Sequence, residues 1–232
     1  MKISLIGYGK MGREVERVAV DSGVEVYSVI YPSNRDAMYR EITEENISGA
    51  DVCIDFTSPD SVVPNVRKVA ALRKNMVVGT TGWYDSLEEV EEIVRKSGIG
   101  LVYAPNFSLG MNVNNRMILS SGHILKKLGY EPRVIETHHA NKVDKPSGTA
   151  KGIAHILKRQ GFVDVPIESR REGDVVGIHT TVFDSPYDRL EITHVAKSRE
   201  GFAKGVLEAA RWVKDKRDLY TLDDMLDFWR LK

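Results

Sequence analysis

Two adjacent imidazoles and an ammonium, His138, His139 and Lys142, stand just ahead of a Ser147-Gly148-Thr149 helix start in the stretch IETHHANKVDKPSGTA. Histidine titrates near neutral pH and can give or take a proton. A helix N-terminus offers backbone N–H donors and a positive dipole end, which suits a carboxylate or phosphate. Lysine adds a positive charge, so the set reads as a site that grips a small anion and protonates it. The Gly148 and Thr149 N–H groups are the candidates for holding the anion. Neighbouring residues at a strand end point to opposite faces, so His138 and His139 are not expected to share one metal ion. No cysteine or clustered carboxylate completes a ligand set, so no zinc site is expected, and one of the two histidines is expected to be buried and structural. His179 and His194, on predicted strands, are also expected to be structural. His123 and His155, on helices, carry no signal.

A second chemistry-bearing pattern lies at the N-terminus. Gly7-Tyr8-Gly9-Lys10-Met11-Gly12 is G-x-G-x-x-G after a strand and opening a helix, the context in which glycines let the backbone approach a pyrophosphate. The second strand runs into Ile30-Tyr31-Pro32-Ser33-Asn34-Arg35, with no carboxylate where one would read the ribose of NAD. Arg35 suits a 2′-phosphate, which favours NADPH, the alternative being a solvated loop residue. Gly79, Thr80 and Thr81, with Gly82 after them, follow the fourth strand at the sheet edge where ligands bind; they read as cofactor contacts, or as a tight turn with a threonine cap. Ala104, Pro105, Asn106, Phe107 and Ser108 read equally well as an interdomain hinge or as cofactor contacts.

The elements that must hold these residues alternate in the first half. Strand-like runs at 3–6, 24–30, 51–56, 76–81 and 98–104 are separated by helical stretches. Met11, Val15, Val18 and Ala19 share one helix face, Ser58-Pro59 gives a helix start, and Asp85 is expected to cap the charged helix LEEVEEIVRK. This rhythm predicts a Rossmann-type doubly wound parallel sheet. The second half predicts a helix at 113–128, a strand running into the histidine motif, a helix after Thr149, and strands at 165–171, 175–183 and 189–196. The turns EGD and DSPYD suit antiparallel pairing. That is a second, α+β domain with a mixed, mostly antiparallel sheet, and a hinge is expected near 106–112. A long helix at 202–215 and a short one with Leu222, Met225, Leu226 and Trp229 close the chain. The expected division is a dinucleotide-binding domain, 1–108 completed by 205–232, and a substrate-binding and oligomerisation domain, 109–204.

The 232 residues suffice for one large or two modest domains, and 33 basic residues balance 33 acidic ones. That balance gives no electrostatic reason to expect nucleic acid or an anionic membrane as partner. The single cysteine, Cys53, falls in an apolar run and is expected in the core, and no internal disulfide is possible. No apolar stretch approaches the roughly 20 residues of a membrane span, and no leader peptide is evident. A soluble, cytoplasmic protein is expected.

HHANKVDKPSGTA (138–150), with GTTG, APNFSLGMN, REGDVVGIHT and RLEITHVAKSR, closely resembles the dihydrodipicolinate reductase (4-hydroxy-tetrahydrodipicolinate reductase) family. The resemblance runs to about residue 214. It implies His138 as proton donor and acceptor, Lys142 as second proton donor, and His139, Ser147, Gly148 and Thr149 against a small dianionic substrate. It implies cofactor contacts from the glycine loop, Gly79, Thr80, Thr81, Ala104, Pro105, Asn106 and Phe107. The implied reaction is NAD(P)H-dependent reduction of 4-hydroxy-tetrahydrodipicolinate on the way to diaminopimelate and lysine, by a homotetramer using either cofactor. Three departures stand out. The glycine loop is one residue shorter than the family's, Asn141 stands where many members have a basic or aromatic residue, and the family's cofactor-discriminating acidic-basic pair has no clear match in 31–50. The alternatives are a two-domain reductase of another small dianionic cyclic imine, or a non-catalytic nucleotide sensor. The joint presence of His138, Lys142 and the Ser-Gly-Thr turn argues against both.

Overall fold

A computed structural model describes residues 1–31 and 37–230; Arg35 lies outside them. The chain divides into two compact units, Met1–Ser108 with Phe202–Lys232, and Leu109–Gly201. In the first unit β1 (Lys2–Ile6), α1 (Lys10–Asp21), β2 (Glu25–Ile30), the single turn α2 (Glu44–Ile47), β3 (Val52–Asp55), α3 (Pro59–Ala71), β4 (Asn75–Val78), α4 (Leu87–Ser97) and β5 (Gly100–Tyr103) follow one another. Strands β3 and β4 are buried along their whole length, as apolar runs must be when helices cover both faces of a parallel sheet. Helix α1 lays Gly12, Val15, Val18 and Ala19 on the sheet. On the other face Val62, Val66 and Val69 of α3 and Val90 and Val94 of α4 join Cys53, Met76 and Val78. Asp85 does not cap α4. It sits in a 3-10 turn, Tyr84–Ser86, and Ser86 is the N-cap, without a side-chain hydrogen bond.

The second unit runs α5 (Leu109–Lys127), β6 (Glu131–His138), α6 (Gly148–Arg159), β7 (Ile167–Arg171), β8 (Gly177–Asp184) and β9 (Arg189–Ala196). Its sheet has the order β7-β6-β8-β9. The β8–β9 connection is an antiparallel hairpin, but the expected β7–β8 hairpin does not form. Instead β7 pairs in parallel with β6, and β8 pairs antiparallel on the other side of β6. The reason is that α6 carries the chain back over the sheet, as a parallel connection requires. Helices α5 and α6 cover one face through Met111, Ile118, Ile153 and Leu157, packed against Val134 and Phe183.

The chain then returns through α7 (Glu200–Val213), β10 (Asp218–Thr221) and α8 (Leu222–Arg230). Strand β10 is a sixth strand that the sequence reading misses. It pairs in parallel with β5 and completes the order β10-β5-β4-β3-β1-β2. Asn75 locks this return, its amide donating to the Val213 and Lys214 carbonyls at 2.8 and 2.6 Å and its carbonyl accepting from Gly100 N–H.

Candidate active site

All the residues expected to touch a cofactor, Arg35 apart, fall at the carboxyl edge of the first sheet, where ligands bind in open α/β folds. Gly7, Tyr8 and Gly9 form the turn after β1, and Lys10, Met11 and Gly12 the first turn of α1. Gly7 has φ +94°, and a side chain there would collide with the Phe56 carbonyl; one on Gly12 would collide with the Gly7 carbonyl. Both therefore keep the loop low against the sheet, leaving the α1 N-terminus as a cradle for a pyrophosphate. The residues present fit a dinucleotide.

Gly79, Thr80 and Thr81 follow β4, and Ala104, Pro105, Asn106 and Phe107 follow β5. Thr80 is buried: its hydroxyl donates to Asp55 Oδ1 at 2.8 Å and accepts from Thr57 N–H at 2.8 Å, while Trp83 Nε1 donates to its carbonyl. Asp55, which the sequence reading passes over, also receives Thr57 N–H, the Thr57 hydroxyl and the Asn65 amide. Burial raises its carboxyl above the usual range although these donors oppose the shift. One buried carboxyl thus ties the exits of β3 and β4 together. At the ends of β1 and β2 a cavity of about 490 Å³ is lined by Ile30, Tyr31, Arg40, Glu41, Ser61 and Lys68, among others.

The second unit gathers the histidine motif. His138 ends β6 and is buried; Lys142 is half-buried in the following loop; Ser147 is the buried N-cap of α6, accepting Ala150 N–H at 3.2 Å. His139 and Thr149 are half-buried, Gly148 exposed. The expectation that no carboxylate accompanies the histidines is wrong. Glu136 is fully buried two residues before His138, on the same face of β6, with its Oε2 2.5 Å from His138 Nδ1. The ring N–H does not point along that line, so this is a close approach, not an aligned hydrogen bond. Glu136 Oε1 accepts from Ser147 N–H at 3.2 Å and from Arg171 Nη2 at 3.1 Å.

His179, expected to be structural, also stands in this cluster. The β6–β8 register sets it opposite Glu136, its ring stacks edge-on at 5.0 Å from that of His138, and its Nε2 lies 3.3 Å from the Ser147 hydroxyl. Arg171, paired across β7 with His138, reaches the Lys142 carbonyl at 3.2 Å and the Asp144 carbonyl at 2.6 Å, clamping the loop to Glu136. Glu136, His138 and His179 bring one donor atom each within 4.8 Å of one another. The arginine on the same carboxylate makes this a hydrogen-bonded network in which a divalent cation would meet a fixed positive charge.

The electrostatics follow from burial and neighbours. Burial would raise the Glu136 carboxyl, but the Ser169 and Ser147 hydroxyls, Ser147 N–H and Arg171 overcome it and hold it at about 2. Burial pushes His138 below its usual range; Glu136 opposes this and Lys142 adds to it. Burial, then the nearby His138, brings His179 down to about 4. Lys142 Nζ meets Asp144 Oδ1 at 2.6 Å, and that ammonium is the main cause holding the Asp144 carboxyl below its usual range, with the Gly148 N–H assisting. A carboxylate is therefore already paired with the ammonium expected to face the substrate dianion.

Comparison with known proteins decides the family. The family model for the N-terminus of dihydrodipicolinate reductase matches residues 1–107, and that for its C-terminus matches residues 110–226. The chain belongs to the dihydrodipicolinate reductase family. It is 34% identical to the 4-hydroxy-tetrahydrodipicolinate reductase of Christiangramia forsetii, covering 97% of this chain and 98% of that protein. It is 33% identical to that of Methanoregula boonei, covering 94% of each. In fold it is similar to the dipicolinate-bound dihydrodipicolinate reductase of Paenisporosarcina sp. TG-14, with a TM-score of 0.81 at 21% identity over 97% of this chain and 98% of that one. Family members are NAD(P)-dependent oxidoreductases with this two-domain α/β plan. Sequence reasoning misses Glu136, Arg171, His179 and Asp55. The first was visible, since a period of two puts residues 136 and 138 on one face; Arg171 and His179 are brought in by strand register, which a single sequence does not display.

Proposed function

We infer that this chain reduces 4-hydroxy-tetrahydrodipicolinate to tetrahydrodipicolinate, taking up a hydride and a proton and releasing water, in the route to diaminopimelate and lysine. The observation that carries the reading is the pairing of a carboxylate, that of Asp144, with the Lys142 ammonium at 2.6 Å, in the loop between the buried His138 and the N-cap of α6. A substrate carboxylate takes that place, with Ser147, Thr149 and His139 alongside. Bound at the glycine loop, a reduced nicotinamide supplies the hydride. His138 and Lys142 deliver the proton to the negative charge that hydride addition builds up. A bound dianion favours the imidazolium, which offsets the burial that disfavours it. Dipicolinate, which the Paenisporosarcina relative binds, is a planar dianion of the kind this site is built to hold.

Both cofactors are accepted and NADPH is bound more tightly, by a factor of a few to tens. The support is the cavity at the end of β2, which Arg40 and Lys68 line and where Glu41 offers a carboxylate to ribose hydroxyls. The active form is a homotetramer in the cytoplasm. Supporting self-association, the face of the second sheet away from α5 and α6 presents Ile135, Ile178, Thr180, Thr193 and Val195 in register, with Val195 half exposed. Among the described residues no helix is long and apolar enough to cross a membrane.

The test is a coupled assay. Enzymatically generated 4-hydroxy-tetrahydrodipicolinate should cause loss of reduced-nicotinamide absorbance with either cofactor. No substrate-dependent loss with either would overturn the reading.

A further inference from the structure

One carboxylate in the second unit makes more contacts with the machinery than any role so far given to it explains. Glu136 is 0% exposed, stands 2.5 Å from the ring of His138, accepts the N–H of Ser147, and takes a guanidinium N–H from Arg171. Through Arg171 it also reaches the carbonyls of Lys142 and Asp144. The buried acid is thus joined to the acid–base imidazole, to the first residue of the anion-holding turn, and to the loop that carries the lysine.

We propose that Glu136 is the positioning residue of this site: its carboxylate orients the His138 ring through Nδ1 and, through Ser147 and Arg171, sets the distance of the anion-holding turn from that ring. The inference rests on the role given to His138 above. A carboxylate at Nδ1 keeps the proton of the neutral ring on that nitrogen, so Nε2 is the nitrogen that exchanges a proton with substrate. The two atoms are close but unaligned, and contacts of this kind tighten when substrate binds.

The charges facing His138 explain why the carboxylate is needed. Burial disfavours an imidazolium at His138, and so do Lys142 in the next loop and Arg171 on β7, while His179 on β8 stands beside the ring as a neutral imidazole. Among the described residues Glu136 is the group that opposes them. Its surroundings, with the Ser147 N–H and the Arg171 guanidinium hydrogen-bonded to it, hold it as an anion, at about 2, so its charge is constant across the working pH range. Removing that charge leaves the ring facing only cations and a neutral imidazole.

The experiment uses the full-length enzyme, ¹⁵N-histidine NMR and dipicolinate as binding probe, with H138Q to assign the His138 signals. In the wild type the neutral His138 ring should carry its proton on Nδ1; a ring protonated on Nε2 overturns the proposal, whatever the variants do. E136Q keeps the volume and removes the charge. It should lower the His138 pKa by about one unit or more and move the limb of the kcat profile where activity falls with rising pH by the same amount, a loss of about tenfold per unit above it. It should also weaken dipicolinate binding about tenfold, whereas H138Q should lose kcat and keep dipicolinate affinity within about threefold. E136D, which restores the charge, should recover the pKa more fully than the affinity. An E136Q enzyme with unshifted His138 pKa and unshifted limb, in which H138Q is inactive, overturns the positioning role. Full activity in H138Q instead removes the acid role of His138 and leaves the reading above at fault.

Discussion

The choice between NADPH and NADH offers a measurement with its own internal control. The two cofactors differ by one phosphate on the adenosine ribose, so a residue that reads this phosphate affects one and spares the other. Arg40 and Lys68 line the same cavity at the ends of β1 and β2, and both are exposed at its rim. An exposed cation facing an anion contributes up to about 1 kcal/mol, and a charge-assisted bidentate arginine contact somewhat more. Arg40→Ala should therefore raise the Kd for NADPH about five- to tenfold, Lys68→Ala about threefold, and the double variant about the product of the two. NADH should move less than twofold in each. Quenching or enhancement of nicotinamide fluorescence on titration gives both constants on one sample. Raising salt should narrow the gap between cofactors in the wild type and leave it unchanged in the double variant. Equal losses for NADH and NADPH, or Arg35→Ala alone collapsing the preference, would refute the assignment to this pair.

Three further outcomes follow from the second unit. Lys142→Ala should lower kcat/KM by about ten- to a hundredfold, with both constants affected, because an ammonium that faces the dianion and donates a proton is lost; steady-state kinetics with retained activity would remove that role. Thr149→Val should weaken dipicolinate about fivefold, the order of one hydrogen bond, and leave cofactor affinity unchanged; a matching cofactor loss would place the carboxylate elsewhere. Acid stability should fall in two overlapping windows. The folded pKa values of His179, about 4, and Glu136, about 2, both lie below the ordinary values of 6.5 and 4.5, so the unfolded chain binds the extra protons as pH falls. The contribution of His179 is present above 6.5 and lost toward 4, and that of Glu136 is present above 4.5 and lost toward 2, each about 3 kcal/mol at roughly 1.4 per unit. Urea midpoints from pH 7 to 3 should show both windows, and His179→Asn should flatten the upper one; an unchanged slope there would count against a buried neutral His179.

The first sheet is legible because its strands are buried on both faces, so each reads as a short apolar run between glycine turns. β10 escapes because DLYT is a half-exposed edge strand set among charges, with no apolar run to mark it. In the second unit the elements are visible but their neighbours are not: nothing in the five residues between β7 and β8 says that β6 lies between the two strands. That same insertion puts Arg171 and His179 on either side of His138, which is why those partners stay hidden. His138, Lys142 and the Ser147 turn are legible because they are local in sequence. The choice of cofactor is least so, since Arg40 and Lys68 come from a loop and a helix that meet only in the fold.

The return of the chain to pair β10 with β5 has a consequence for synthesis on the ribosome. About 115 residues separate the end of β5 from the start of β10, or roughly 6–23 s of elongation at typical rates. For most of that interval the β5 edge has neither its strand nor α7 and α8, while the second unit, continuous in sequence, emerges whole. The later-numbered unit is therefore the one able to finish folding first, and the earlier one must wait with an open edge, the feature through which nascent sheets pair with the wrong chain. In β5 that edge is Gly100–Tyr103, four residues long, and the shortness of the strand limits what can pair with it before the C-terminus arrives.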